Sequence, residues 1–276
     1  MREILHISDI HFGPYHVPEV ATGVLDLIAR RRPALVVLSG DLTQRAKPRQ
    51  FREARAFVDR IEAETLVIPG NHDVPLWRVW ERLFSRYGAY RRHFSAELEP
   101  VFRDEELLVV GINSAFNWTT ANGRITRSRL REVGELLAQA PPGVTKIIAV
   151  HHELIPPPSF GTQRVLRNAY EAGELFSRLD VELVLAGHLH RSYIGSSEAY
   201  YPSGRRPFLI LHSGTTTSTR GRGCERRRFT CNWIRLDDDE LTISHLGWDP
   251  DAGRFLEWSR HVYPRRQREP YALEGP

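Results

Sequence analysis

Five short motifs follow one another along the chain: Asp9-Ile10-His11, Gly40-Asp41, Gly70-Asn71-His72-Asp73, His151-His152 and Gly187-His188-Leu189-His190. Their side chains are carboxylates, imidazoles and a carboxamide. No cysteine is among them, which suits a pair of divalent cations and argues against a structural zinc site. Two cations about 3.5–4 Å apart need a bridging carboxylate and further donors each, and such pairs serve in-line attack on phosphorus. An acid and a histidine at i and i+2, as in Asp9 and His11, converge when the strand ends in an irregular loop. His188 and His190 repeat that spacing after a glycine and can serve different cations across a bent turn. Gly40 and Gly70 permit close approach and unusual dihedrals just before Asp41 and Asn71. Singly, each motif is a turn signal or a chance match. In this order, each after an apolar run, they point to one metal site.

Those apolar runs read as β-strands, and α/β proteins place their chemistry in the loops beyond the carboxyl ends of strands. Glu3–Ser8 predicts a strand, followed by a helix over roughly Val17–Arg31 that Pro33 stops. Ala34–Ser39 is an apolar run, as expected of a strand buried on both faces. Pro48–Glu62 carries Phe51, Ala54, Phe57, Val58 and Ile61 at helical spacing, and Thr65–Pro69 is the next strand. This βαβαβ order implies a largely parallel sheet with right-handed crossovers. Further strands are expected at Glu106–Asn113, Lys146–Val150 and Leu183–Ala186, with helices at Ser128–Ala140 and Asn168–Leu179. After residue 207 the pattern turns to β alone, at Phe208–His212, Arg228–Arg235, Leu241–Gly247 and Phe255–His261.

Two stretches break the rhythm. Val74–Glu97 interleaves Trp77, Trp80, Phe84, Tyr87, Tyr90 and Phe94 with arginines. It is expected to pack as an amphipathic helix pair, to cap the site beside Gly70–Asp73, or to do both. The loop Ile155–Gln163 is proline-rich and cannot be regular. With no repeat and no linker, a single domain is expected over residues 1–263, with a polar C-terminal tail at 264–276.

The 276 residues are 41% hydrophobic and 26% charged, a composition that builds a core and excludes a disordered chain. The net charge is +4, and of 38 basic residues only Lys47 and Lys146 are lysine. Arginine suits bidentate phosphate recognition, but a bias this uniform matches genome composition better. The positive balance suits an anionic substrate and gives no strong support for nucleic-acid binding. Cys224 and Cys231 are too few for a disulfide framework and are expected as thiols. The first strand starts within three residues of Met1, leaving no room for a signal peptide, and no apolar run is long enough for a membrane span. A soluble, cytoplasmic enzyme is expected.

The motif order resembles the calcineurin-like metallophosphoesterase superfamily, D-x-H, G-D, G-N-H-(D/E), H and G-H-x-H, over residues 4–190, with no ligand position missing. The resemblance implies a four-layer α/β/β/α sandwich of two mixed sheets flanked by helices, with the C-terminal strands in the second sheet. It implies two divalent metal ions, one held by Asp9, His11 and His190, the other by Asn71, His151 and His188, with Asp41 bridging. His72 is similar to the family histidine that contacts the phosphate and stabilises the leaving group, and Asp73 would orient it. The implied reaction is hydrolysis of a small phosphodiester by in-line attack of a metal-bridging hydroxide, formed from water whose pKa falls from about 15.7 towards neutrality. Manganese or an iron–manganese pair is expected, and zinc, cobalt or nickel suit the same donors.

The phrases Leu5–Gly13 and Ser39–Thr43 resemble those of the bacterial cyclic-nucleotide phosphodiesterase-like branch, which favours a cyclic nucleotide-type substrate. Enzymes that cleave the pyrophosphate of UDP-diacylglucosamine share the core and carry an apolar lid, so segment 74–97 keeps that alternative open. A non-catalytic scaffold of the same fold is the contrasting expectation, opposed by the complete ligand set. His151, directly after its strand, is the expected ligand rather than His152. His16 is expected to face solvent, and His6, His93, His212, His245 and His261 to pack or lie at the surface. His212, before Ser213-Gly214-Thr215 at a strand end, is the first of these to examine. A dimer through the aromatic surface or the tail stays open.

Overall fold

The computed structural model describes the chain except residues 77, 116–122, 157–164, 202–205 and 266–276. β1 (Arg2–Ile7), α1 (Pro18–Arg31), β2 (Leu35–Leu38), α2 (Pro48–Val58) and β3 (Glu64–Val67) form the expected βαβαβ unit, with β1–β2 and β2–β3 parallel. Both faces of these strands are covered, which explains their unbroken apolar runs. Leu5, Ile7, Val36 and Leu38 pack outward against Val24, Leu27, Phe51 and Ala54 of the helices. Ile4, Leu35, Val37 and Leu66 point inward.

The second sheet contains β4 (Val101–Arg103), β5 (Leu107–Ile112), β6 (Thr145–Val150), β7 (Val181–Ala186), β8 (Tyr193–Ser196) and β9 (Leu209–His212), in the order β4-β5-β6-β7-β9-β8. Its central strands are parallel, and β4 and β8 pair antiparallel at its edges. The helices α5 (Arg127–Ala138) and α6 (Ala169–Arg178) cover its outer face through Leu130, Val133, Ala172 and Phe176. The two sheets meet across a core in which Leu107, Val109, Ile147, Leu183 and Leu185 face Ile4, Leu35, Val37 and Leu66. The layers are therefore helix, sheet, sheet, helix.

The last strands depart from expectation. β10 (Thr230–Leu236), β11 (Glu240–Asp249) and β12 (Arg254–Pro264) extend the first sheet, in the order β12-β11-β10-β1-β2-β3, and only β9 joins the second. The crossing follows from the segment after β9, where Thr216 N donates to Ser8 O and Val17 N to Thr217 O. This delivers the chain beside β1, whose free edge needs a partner, and β10 supplies it antiparallel, Leu5 opposite Trp233.

The aromatic stretch divides between α3 (Val79–Phe84) and α4 (Gly88–His93). Tyr87, Tyr90 and Phe94 are buried in the helix-side core, whereas Trp80 and Phe84 are 75% and 80% exposed. Trp77 lies outside the described residues. Of the expected tail, Pro264 ends β12 and Arg265 is anchored, its Nε donating to Glu182 Oε1 at 2.7 Å and its Nη2 to Thr145 Oγ1 at 2.7 Å. Residues 266–276, and most of the proline-rich loop, lie outside the described part. Both cysteines are free, and no described helix is long and apolar enough to cross a membrane.

Leu185 sits fully buried between the sheets. Leu185→Ala is expected to cost about 2–5 kcal/mol of stability, the range for a large-to-small core substitution, read from urea denaturation. A loss below about 1 kcal/mol would contradict close packing between the sheets.

Candidate metal centre

All five motifs lie just past the carboxyl ends of parallel strands: β1, β2 and β3 in the first sheet, β6 and β7 in the second. The first two loops remain zipped beyond the sheet, with Asp9 N donating to Gly40 O, His11 N to Asp41 O and Phe12 N to Leu42 O. Asp9, His11, Asp41, His188 and His190 all have positive φ, between 44° and 71°, and make up five of the nine such non-glycine residues described. Each left-handed residue carries strain of order 1–3 kcal/mol. The bends turn both members of Asp9/His11 and of His188/His190 inward. Gly40, at φ 98°, is itself left-handed. Gly70 is required for a different reason, since a Cβ there would lie 2.2 Å from Asp41 Oδ1 and 2.4 Å from Asp41 N.

The inward side chains form two groups that share Asp41. Asp9, His11, Asp41 and His190 each offer one donor atom within 4.8 Å of the others, and so do Asp41, His151 and His188. In the first group His190 Nε2 lies 3.1 Å from Asp9 Oδ1 and 3.1 Å from His11 Nε2. In the second, His151 Nε2 is 3.4 Å from Asp41 Oδ1, and Asn71 Oδ1 lies 3.1 Å from His151 Nε2 and 2.9 Å from His188 Nδ1.

Backbone carbonyls orient the rings. His151 Nδ1 faces Ser39 O at 2.7 Å, His190 Nδ1 faces Arg220 O at 2.9 Å, and His11 Nδ1 faces Thr43 O at 3.4 Å. An Nδ1–H donated outward leaves the Nε2 lone pair for the centre. Asp9 Oδ1 and Asp41 Oδ2 are buried without a hydrogen-bond donor. Two bare carboxylate oxygens and two facing Nε2 atoms are a donor set for cations, and the residues present fit a divalent metal centre.

Charge at the site follows from these contacts. Burial alone raises the Asp9 pKa, but the His190 charge and the close approach of the His11 and His190 rings leave it well below the usual carboxylate range. Asp41 is likewise held well down, the His151 and His72 charges outweighing burial. Burial pushes His11 down to about 4 and His188 to about 3. His151 is the exception: burial lowers its pKa, but the Asp41 charge and hydrogen bond raise it to about 10.

The remaining sequence candidates fall into place around this core. His72 N donates to Asp41 Oδ1, and its ring Nδ1 faces Gln44 O at 2.9 Å, which directs Nε2 towards the His11 side. The expected orientation of His72 by Asp73 takes another form. The Asp73 carboxylate accepts from the N–H groups of Leu42, Thr43 and Gly70 and from Thr43 Oγ1, stapling the second motif loop to the third. The Gln44 carbonyl is what holds the ring.

His152 is buried with its Nδ1 2.8 Å from Ser114 Oγ, and the donor group around Asp41 takes His151 instead. His16 is a loop clamp rather than a solvent-facing residue, its Nδ1 beside Ile10 O and Thr217 Oγ1 and its ring stacked on Phe12. His212 is buried and stacked on Tyr193. Sequence reasoning missed Arg220, whose Nη1 lies 3.2 Å from His72 Nε2 and 3.5 Å from His11 Nε2. The one signal towards it was the polar strand end after His212.

Two mixed sheets with this donor set at their strand ends define a metal-dependent phosphoric ester hydrolase. The family model for calcineurin-like phosphoesterases matches residues 2–192, and the chain belongs to that family. It is similar to a cAMP/cGMP dual specificity phosphodiesterase of Mycobacterium tuberculosis, 29% identical over 92% of this chain and 82% of that protein. A probable cyclic nucleotide phosphodiesterase of Synechococcus is 27% identical over 69% of this chain and 74% of its own length. Among solved structures, purple acid phosphatase from yellow lupin seeds has the same fold, with a TM-score of 0.73 at 11% identity. That match covers 97% of this chain and spans about half, 54%, of the plant protein.

To donate to a metal His151 would have to be neutral, yet the Asp41 charge and hydrogen bond, against burial, hold its pKa near 10. The proton is therefore present at neutral pH and lost only as pH rises through about 10. Metal loading at pH 7.5 is expected to release about one proton from this ring, and apparent affinity to rise up to tenfold per pH unit below that value. Calorimetry in buffers of different ionisation enthalpy measures the release. Loading with no proton released and no pH dependence would show His151 to be neutral already.

Proposed function

We propose that this chain is a binuclear phosphodiesterase acting on a cyclic nucleotide-type substrate. Asp9, His11 and His190 would hold one cation, Asn71, His151 and His188 the other, and Asp41 both. The observation that carries this reading is the membership of Asp41 in both donor groups. When bound, divalent cations supply acidification of water and polarisation of the phosphoryl oxygens. Manganese or an iron–manganese pair suits the oxygen and imidazole donors.

The chain's own groups do the rest. Ser39 O, Thr43 O and Arg220 O keep three rings in the donor tautomer. His72, held at Nδ1 by Gln44 O, presents Nε2 to the same space. Once protonated at Nε2 as well, His72 would pass that proton to the departing alkoxide as the P–O bond breaks and be left neutral. The names of the Mycobacterium and Synechococcus relatives support the choice of a cyclic nucleotide. The donor set also counts against a non-catalytic scaffold, which would have no need of it.

Asp41→Asn removes one charge from both groups at once. It is expected to reduce bound manganese from about two equivalents to one or fewer and to abolish turnover. Two tightly held equivalents with full activity would remove the bridging role. The substrate is tested with manganese present on bis-p-nitrophenyl phosphate, p-nitrophenyl phosphate, 3′,5′-cyclic AMP and GMP, and UDP-diacylglucosamine. Hydrolysis of the diester and of a cyclic nucleotide is expected. Preference for the monoester would overturn the diesterase reading, UDP-diacylglucosamine alone would move it to pyrophosphate cleavage, and inactivity on all five would favour the scaffold.

A further inference from the structure

We infer that Arg220 is a substrate-contacting residue that holds a non-bridging oxygen of the phosphoryl group on the His72 side of the centre. The inference rests on the phosphoesterase reading above and adds a residue beyond 2–192, the stretch the family model matches.

Three observations place the guanidinium there. Its Nη1 donates to Gln44 Oε1 at 3.2 Å and lies 3.2 Å from His72 Nε2 and 3.5 Å from His11 Nε2. One nitrogen thus touches both the proposed leaving-group histidine and a proposed metal ligand. The side chain is half-buried, and burial pulls its pKa below the usual arginine value. Yet the guanidinium has no carboxylate ion-pair partner among the described residues; its acceptors are a neutral amide and a ring nitrogen. Finally, the backbone fixes the position. Arg220 O accepts from His190 Nδ1, Arg220 N donates to Ser218 Oγ, and the Tyr15 ring lies 6.0 Å below the guanidinium.

Neutral acceptors are the weaker kind. Charge-assisted hydrogen bonds to an anionic oxygen are roughly twice as strong, so a phosphoryl oxygen entering this space displaces His72 from Nη1. Two consequences follow from the same exchange. The phosphate gains a planar, fixed donor on the side away from His151 and His188. His72 Nε2 is released from Arg220 and faces the leaving oxygen instead. Arginine rather than lysine fits the task, because its fork can reach the phosphate while a second N–H stays on Gln44.

The test uses manganese-loaded full-length protein, with Arg220→Ala and Arg220→Lys beside the wild type. Manganese content is measured by mass spectrometry, inorganic phosphate binding by calorimetry, and kcat and KM on bis-p-nitrophenyl phosphate. Arg220→Ala is expected to keep its manganese, because the bond to His190 is made by the backbone. It should weaken phosphate binding by about 10–100-fold, the range for hydrogen bonds to a charged group, with KM rising in parallel. Arg220→Lys should recover only part of the loss. Phosphate affinity within twofold of wild type in Arg220→Ala would overturn the assignment. So would loss of manganese, which would make the residue a support for His190. A wild type that holds manganese but binds neither phosphate nor the diester would remove the phosphoesterase reading, and this inference with it.

Discussion

Two carboxylates taken out of water set the terms for the rest of the molecule. Asp9 and Asp41 are fully buried, each with an oxygen that no donor reaches. A buried ion costs several kcal/mol unless opposite charge and hydrogen bonds surround it. The structure answers with a ring of imidazoles, one of which, His151, Asp41 holds protonated against burial. Other contacts serve the same balance. Ser8 Oγ and His188 N satisfy the outer oxygen of Asp9, and His72 N satisfies Oδ1 of Asp41. Only the oxygens that face the centre stay bare, so the electrostatic debt is concentrated where a cation can sit.

Holding the donors there requires five left-handed residues, whose summed strain is a large fraction of ordinary domain stability, about 5–15 kcal/mol. The strain persists because long-range bonds over-determine the loops. Asp9 and His11 are tied to Gly40 and Asp41 across the β1/β2 loops, and Ser8 N and Ile10 O are tied to Thr216 and Thr217. The latter tie also explains the sheet order. A chain that must return from β9 to lace the first loop emerges next to β1, and continuing as β10 closes that edge. Site and topology are one constraint seen at two scales.

This separates what the sequence could reveal from what it could not. The strand–loop placement of Asp9, Asp41, Asn71, His151 and His188 was legible, because a strand buried on both faces announces itself as an apolar run. The division of ligands between two cations could be taken only from the motif resemblance. Less legible was the partner of β10–β12, since period-two alternation says which face is buried and nothing about which sheet receives the strand. β4 and β8, at three and four residues, are too short for periodicity to register. Arg220 was hidden for a related reason. It reaches His11 across 209 positions and His72 across 148, in a chain where arginine is the ordinary basic residue. The aromatic stretch was ambiguous because it does two things: Tyr87, Tyr90 and Phe94 fill the core, while Trp80 and Phe84 remain at the surface.

Asp73 makes the coupling between charge and architecture explicit. Its carboxylate accepts four hydrogen bonds and joins the loops that carry Asp41 and His72. Burial raises its pKa to about 7, and the neighbouring Asp41 charge adds to the rise, against the three backbone N–H donors that pull it down. The second of those causes is not fixed. Cations held at Asp41 would offset the repulsion, favouring the ionised Asp73 and its bonds to the two loops, since charged acceptors bind N–H more tightly than neutral ones. Metal loading and loop order would then reinforce one another through Asp73. An aspartate in this place is an acid whose protonation burial governs first and the charge on Asp41 second.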